Sequence, residues 1–451
     1  MAGDYEEERE LAVLGECETG PAPSPPPVET SGRTLFKGGV LSAFSYRDFS
    51  LLWTGALLSN TGTWVHMSAL FWYVKELTGS DAWVGMVTVA NFIPVLFLVL
   101  FAGSLADVLN RKVLIFVTQA VMMLGAFALG MLTSLGAGNL TVIMIITFIM
   151  GTAFTFNFPA WRAIITDLVR PEDILNAVAL DAAEFNVARF IGPWLGGFII
   201  ASFSVSVAFY VNALSFFTVL GSLLLIKTRT PKSPPHPEGM IKHVHEILVY
   251  AWDNRWALNV LVVLVIAAIF GLPFIVLLPG MARDVLGQEA GGYGLLLGFV
   301  GLGAAAAAPF VTWLNRRFKE SEIIKISAFL SGLMLVGFSL SRTFWLSLLL
   351  SMGLGAFFLM LSAAVNTVLQ SRVERLMRGR IMSLYILVFQ GMLPIGGMVM
   401  GILADRISAP FVLLVGGIVC TVMAVVLFMF PSFLKGAVSP LHLPECDREP
   451  T

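Results

Sequence analysis

The chain has 451 residues, 57% of them hydrophobic and 13% charged, with a net charge of -1. With a mean hydropathy of +0.84, it carries more apolar side chains than a water-facing surface tolerates, and a bilayer is the expected solvent for much of it. The charge balance offers no basic field for nucleic acid, and Cys17, Cys420 and Cys446 lack the spacing of a metal site or disulfide framework.

The first twenty residues, "MAGDYEEERELAVLGECETG", are acidic where a secretory leader would be basic, so no signal peptide is expected. "PAPSPPPVETSG" continues as an extended tail, and residues 1–45 are read as a disordered cytoplasmic segment. Twelve apolar segments follow, near 50–76, 82–105, 112–135, 140–165, 174–201, 205–227, 256–281, 291–314, 323–342, 344–370, 380–404 and 410–430. Each is about the 20 residues needed to cross a hydrocarbon core as a helix. The predicted organisation is a six-helix bundle over 46–227, a cytoplasmic linker over 228–255, a second bundle over 256–432 and a cytoplasmic tail over 433–451. In the linker, "MIKHVHEILVYAW" suits a short amphipathic helix on the membrane face. His243 and His245 are two apart, a poor spacing for a helical metal site.

Orientation follows from lysine and arginine. With the N-terminus inside, the inner loops and helix ends hold seventeen basic residues and the outer ones four, Lys75, Arg283, Arg342 and Arg406. Both tails are therefore expected in the cytoplasm of a cell whose inner or plasma membrane holds the chain. The halves also resemble each other. "LADVLNRK" (105–112) aligns with "FVTWLNRR" (310–317), and "LDAAEFNVARFIGPWLGG" (180–197) with "LYILVFQGMLPIGGMVMG" (384–401), at nearly one offset. A parallel repeat of this kind places a central site between two bundles. The fold class is thus an all-α membrane protein with twelve transmembrane helices in two six-helix bundles.

"GSLADVLNRK" (103–112) lies at the inner end of the second span and in the turn beyond it. Gly103 permits close helix approach. Asp107 stands at a helix C-terminus, where the dipole disfavours an acid, so a partner is expected: another helix's N-terminus or a nearby arginine. Arg111 and Lys112 suit both the dipole and the inner-face charge rule. This loop resembles the signature loop of the major facilitator superfamily. "YRDFSLLWTGALLSNTGTWVHMSALFWYVKELTGS" (46–80), "FNFPAWRAIITDLVRPEDILNAVALD" (156–181) and "RGRIMSLYILVFQG" (378–391) are similar to its branch of enterobactin-type siderophore exporters, with macrolide-efflux relatives nearby. The resemblance covers roughly 46–430. It implies that Asp107 latches the bundles on the inner side in the outward-open state, with Gly103 for packing, Arg111 as partner and the eleventh span, from near Gly379, opposite. In the second half Thr312 stands in place of Asp107, so any latch there is differently made. The arginine that many drug/proton antiporters of the superfamily carry within span four is missing here until Arg162, at the inner end.

Span five holds the charges. Counted from Ile174, Glu184 lies about 15 Å and Arg189 about 22 Å along the helix. A charge at such depth costs at least roughly 2.5–3.5 kcal/mol unless it faces protein or water. On the wheel Asp181 and Glu184 are about 60° apart and Glu184 and Arg189 about 140° apart, so the last two do not pair readily within the helix. Arg189 shares a face with Gly192 and Gly196, and Pro193 frees its carbonyl. Gly192, Pro193, Gly196 and Gly197, in "GPWLGG", resemble the fifth-span motif of exporters in the superfamily. Glu184 is the leading proton candidate, since burial and an approaching cation act oppositely on a carboxyl. Asp181 is expected nearer the inner side and partly wetted. Arg189 suits either helix packing or the cavity. His66 either shares the proton or is a neutral, hydrogen-bonded histidine. Asn157, Asn186 and Gln390 are amides expected at the cavity.

No GxxxxGK[ST] loop, nucleophile–base set or metal-ligand cluster occurs in the sequence, so neither ATP-driven pumping nor enzymatic activity is expected and no cofactor is implied. The expected function is secondary export of an amphipathic small molecule, a siderophore or hydrophobic drug, by proton antiport from a monomer in the bilayer. An importer, or a receptor that kept the fold, are the alternatives.

Overall fold

The computed structural model describes residues 39, 41–228, 254–373 and 375–434. The N-terminal leader, the expected linker helix with His243 and His245, and the tail from 435 lie outside the described residues. So do the side chains of Asp107, Thr312 and Gln390. The described residues form twelve long helical segments: α1 Arg47–Thr78, α2 Asp81–Val108, α3 Arg111–Ser134, α4 Leu140–Asp167, α5 Ile174–Ser202, α6 Val205–Leu225, α7 Arg255–Val285, α8 Ala290–Arg317, α9 Glu320–Leu340, α10 Phe344–Arg372, α11 Arg375–Arg406 and α12 Ala409–Met429. Nine of them are apolar enough over sufficient length to cross a membrane. The other three, α1, α5 and α11, are equally long, and α1 and α5 carry more polar side chains.

Helix starts follow local chemistry. Ser80, Asn110, Asn139, Ser204 and Ser408 cap α2, α3, α4, α6 and α12 by accepting from backbone N–H groups two or three residues on. Gly79, at φ 68°, ends α1 and donates to the Lys75 carbonyl at 2.8 Å. The seventh segment runs past its expected end at 281, through two π-helical turns, Ala267–Gly271 and Met281–Val285. The expected tail is corrected at its end. Ser42–Ser45 form a 3-10 turn with Ser42, Ala43 and Ser45 buried. Asp173, just before α5, fastens this turn by accepting from Ser42 Oγ and, at 2.7 Å, from Tyr46 Oη. Burial alone would raise the Asp173 carboxyl, but these hydroxyls bond its ionised form and hold it below its ordinary range. Burial, and then Asp173 itself, push the Tyr46 phenol up to about 12.

Within the first six helices α1 packs on α5 and α6, α2 on α4, and α3 on α4 and α6. The second six repeat the scheme: α8 packs on α10, α9 on α10 and α12, and α7 against α11 and α12. Two seams join the bundles, α2 with α11 and α5 with α8. The repeat exchanges these seams, because α2 corresponds to α8 and α5 to α11.

The chain ends described, Ser42–Ser45 and Pro431–Leu434, mark one face, here the terminal face. Among the described residues, the close contacts between bundles lie at mid-depth or nearer the opposite face. A Cβ on Gly197 of α5 would stand 2.6 Å from Gly294 Cα of α8, and one on Gly85 of α2 would stand 2.6 Å from the Gly397 carbonyl of α11. Toward the terminal face the seams part. Among the described residues, a Cβ on Gly103 would meet nothing within 4 Å. Phe101 and Leu105 of α2 and Phe310 and Trp313 of α8 are exposed at this level. Among the described residues, the close contacts across the seams thus thin out toward the terminal face and leave a cleft between the bundles on that side. Gly197→Ala is expected to lower stability by about 1–3 kcal/mol, because the added methyl would press on α8 backbone rather than on a side chain that can turn aside. Gly103→Ala is expected to leave stability unchanged, and detergent-solubilised thermal melts compare the two.

Candidate functional site

The polar groups of the cleft cluster on α1 and α5. Gly192 of α5 lets α1 approach so closely that a Cβ there would stand 2.4 Å from Trp64 Cβ, and Gly196 would meet Val65 and Ser68 at 3.2 Å. This contact sets two α5 charges against α1 side chains. Glu184 is 1% exposed, and both of its carboxylate oxygens accept from Asn60 Nδ2, at 3.1 and 3.0 Å. The expectation of a partnerless Glu184 is corrected in part: it has an amide partner, 124 residues away in the chain, and no cation among the described residues. Arg189 lies with its guanidinium carbon 5.5 Å from the Trp64 ring centroid. Trp64 in turn meets Phe185 edge-on at 6.0 Å. The Arg189 carbonyl, which Pro193 cannot bond, lies against α8, 2.7 Å from where a Cβ on Gly301 would stand.

The other candidates go elsewhere. Asp181 is buried at 7% exposure rather than wetted. It accepts from Arg162 Nη1 at 2.9 Å and Trp161 Nε1 at 3.1 Å, both on α4, so it forms a fixed ion pair within the first bundle. His66 turns away from the cleft and packs on Phe209 of α6, with ring centroids 4.9 Å apart. Its Nδ1 is buried without a hydrogen-bond partner among the described residues, so the expected hydrogen bond is not made at that nitrogen. Asn157 is buried and donates to Thr118 Oγ1 at 2.8 Å, which ties α4 to α3 rather than lining the cavity. Asn186 donates to the Ala182 carbonyl of its own helix at 2.8 Å. The signature loop packs into the first bundle: Arg111 bonds both oxygens of Asp167, at 2.9 and 2.7 Å, and Lys112 Nζ donates to the Ile226 carbonyl at 2.9 Å.

At the opposite face the bundles are sealed by residues not singled out from the sequence. Asp405, at the end of α11, accepts from Ser80 Oγ, from Asp81 N at 2.7 Å and from Ala82 N at 3.2 Å. Its carboxylate thus caps the positive N-terminus of α2 across the seam. Beside it, Lys75 of α1 bridges Asp81 at 3.1 Å and Asp284 of α7 at 2.8 Å. A sequence signal for this seal exists. "GILAD" (401–405) at the end of α11 repeats the pattern of "GSLAD" (103–107) at the end of α2, and the two helices are antiparallel neighbours.

Residues 38–445 match the family described as transmembrane secretion effector. The chain is 23% identical over 345 residues to the staphyloferrin A transporter of Staphylococcus aureus, covering 76% of this chain and 86% of that protein. It is 24% identical over 395 residues to the multidrug efflux pump Tap of Mycobacterium tuberculosis, covering 82% of this chain and 91% of that one. In fold it is similar to the nucleoside transporter NupG, with a TM-score of 0.67 at 13% identity, over 86% of this chain and 99% of that chain.

Proposed function

Because the chain belongs to the transmembrane secretion effector family of the major facilitator superfamily, we propose that it exports an amphipathic small molecule, a siderophore or hydrophobic drug, in exchange for protons. The observation that carries the reading is Glu184, a buried mid-span carboxyl held by an amide and by no cation. A carboxyl so placed has no fixed cation to hold its charge, so an approaching substrate cation can compete with its proton, as coupling requires. The relatives named for staphyloferrin A and for multidrug efflux support the substrate range, and the G-P-x-x-G-G pattern of α5 supports export.

The excess of lysine and arginine on the terminal face assigns that face to the cytoplasm. The open cleft is then the loading state of an exporter. Substrate enters from the cytoplasm as Glu184 gives up its proton, the opposite seal parts, and the bundles rock about mid-depth. The resemblance of its loop implies that Asp107 latches the bundles on the cytoplasmic side in the return geometry. Asp107→Asn is accordingly expected to bias the protein toward the conformation described above. Spin labels at Arg170 and Lys319, on the terminal-face loops of the two bundles, would report a larger share of long distances. An unchanged distribution reduces that loop to fixing topology.

Purified protein in liposomes tests the function. Flux of compounds from a broad siderophore and drug panel is expected to rise when a proton gradient opposes it in the antiport sense. Flux indifferent to the gradient for every compound removes proton coupling, and gradient-driven movement in the reverse sense makes the protein an importer.

A further inference from the structure

Several cations of the described helices are held by carboxylates, and others near the helix ends by carbonyls or rings, as Lys112 is by the Ile226 carbonyl and Arg317 by Trp313; Arg189 is the cation at mid-depth. Lys75 has Asp81 and Asp284, Arg111 has Asp167, Arg162 has Asp181, and Lys325 has Glu322. Arg189 has the face of Trp64 and no carboxylate among the described residues. It is half-buried, so its guanidinium keeps free donors at the α1–α5 wall. About 7.5 Å along the same helix, at 1.5 Å per residue, stands Glu184, which lacks a cation just as Arg189 lacks an anion. The helices of the second bundle offer neither. Residues 256–282 of α7, 290–310 of α8 and 381–404 of α11 contain no Asp, Glu, Lys, Arg or His. The nearest other ionisable groups are accounted for: Asp181 and Arg162 hold each other, and His66 faces Phe209. At mid-depth α5 therefore carries one positive and one negative group, Arg189 half-buried and Glu184 1% exposed behind Asn60, beside an aromatic pair at Trp64 and Phe185 and across from an uncharged surface.

We infer that the transported molecule is amphoteric: a carboxylate or similar anion docks on Arg189 above Trp64, and a protonated amine lies toward Glu184. This rests on the export reading given above and names the substrate class for it. The two-point arrangement also fits antiport. A bare anion on Arg189 would favour keeping the Glu184 proton, whereas a cation near Glu184 competes with that proton. A zwitterion satisfies Arg189 and displaces the proton together. The guanidinium fork suits a carboxylate bidentately, and its free face stacks on the indole.

The test uses the full chain in liposomes with three matched fluorescent probes. These are ciprofloxacin, which carries a carboxylate and a piperazinium, its ethyl ester, which is only cationic, and its N-acetyl derivative, which is only anionic. Gradient-driven export of ciprofloxacin is expected to exceed that of both derivatives by about tenfold or more, the worth of a charge-assisted contact. Arg189→Gln should bring ciprofloxacin down to the level of the ester while leaving the ester unchanged, and Arg189→Lys should retain a preference for the zwitterion. Equal transport of ester and zwitterion by the parent protein overturns the inference. So does an equal loss of both in Arg189→Gln, which would make Arg189 a packing partner of Trp64 only. Gradient-driven flux of other compounds, with none of the three probes moved, overturns the inference but leaves the export reading standing. No gradient-driven flux of any compound overturns both.

Discussion

Glu184→Gln is expected to abolish proton-driven transport while leaving a folded protein in the membrane. Glutamine keeps the volume of the side chain, and its carbonyl can still accept from Asn60 Nδ2, which now bonds the carboxylate at 3.0 and 3.1 Å. What it loses is the ionised form. Gradient-driven flux should fall to the background of empty liposomes, whereas downhill exchange of a substrate without a cationic group, which needs neither net proton movement nor the Glu184 charge, should persist. Both are measured on one preparation, with thermal melts confirming the fold. If gradient-driven flux survives, Glu184 is outside the proton path. If exchange disappears too, its role is in binding or architecture.

Asp405→Ala is the second large effect. The substitution removes the acceptor for Ser80 Oγ and for the first two free N–H groups of α2. Loss of a capping carboxylate costs up to about 2 kcal/mol. Here the cost falls on one conformation alone, since the cap spans the seam between bundles. A change of that size shifts populations by more than about tenfold, toward opening at the opposite face. Spin labels at Ala137 and Thr343, exposed on opposite-face loops of different bundles, should move apart, and labels on the terminal face should draw together. Asp107→Asn is expected to act in the opposite sense, so the two substitutions check each other. Distances that do not change at either face reduce Asp405 to an ordinary surface cap.

The order of the long helices was legible because hydrocarbon demands long apolar segments, and nine of the twelve described helices meet that demand by length and composition. The glycine face of α5 was legible for the same kind of local reason: Gly192 and Gly196 fall together on a wheel. Legibility stopped where the answer depended on a neighbour. The wheel separated Glu184 from Arg189 but could not say that α1 would bring Asn60 to one and Trp64 to the other. Asp181 looked wetted because Arg162 and Trp161 lie on a different helix. His66 and Asn157 looked like cavity groups because a polar side chain in a span has two uses, and only packing against Phe209 and Thr118 distinguishes them. The seal at Asp405 went unread although its five-residue pattern repeats that of α2. The first copy is recognisable with the basic loop that follows it, and the second copy has no such loop.

The π-helical turn at Met281–Val285 bears on that seal through register. A π turn holds one residue more than the α-helical turn it replaces, so it rotates everything after it relative to a regular helix. Asp284 lies inside this turn, and from there its carboxylate reaches Lys75 at 2.8 Å. Rewound as regular α-helix, the same stretch would swing Asp284 around the axis by about 100° and leave Lys75 with Asp81 alone. The ion pair that joins α1 to α7 is therefore a readout of helical winding. Deleting Ala282 would alter it without changing the charge of any side chain that forms it.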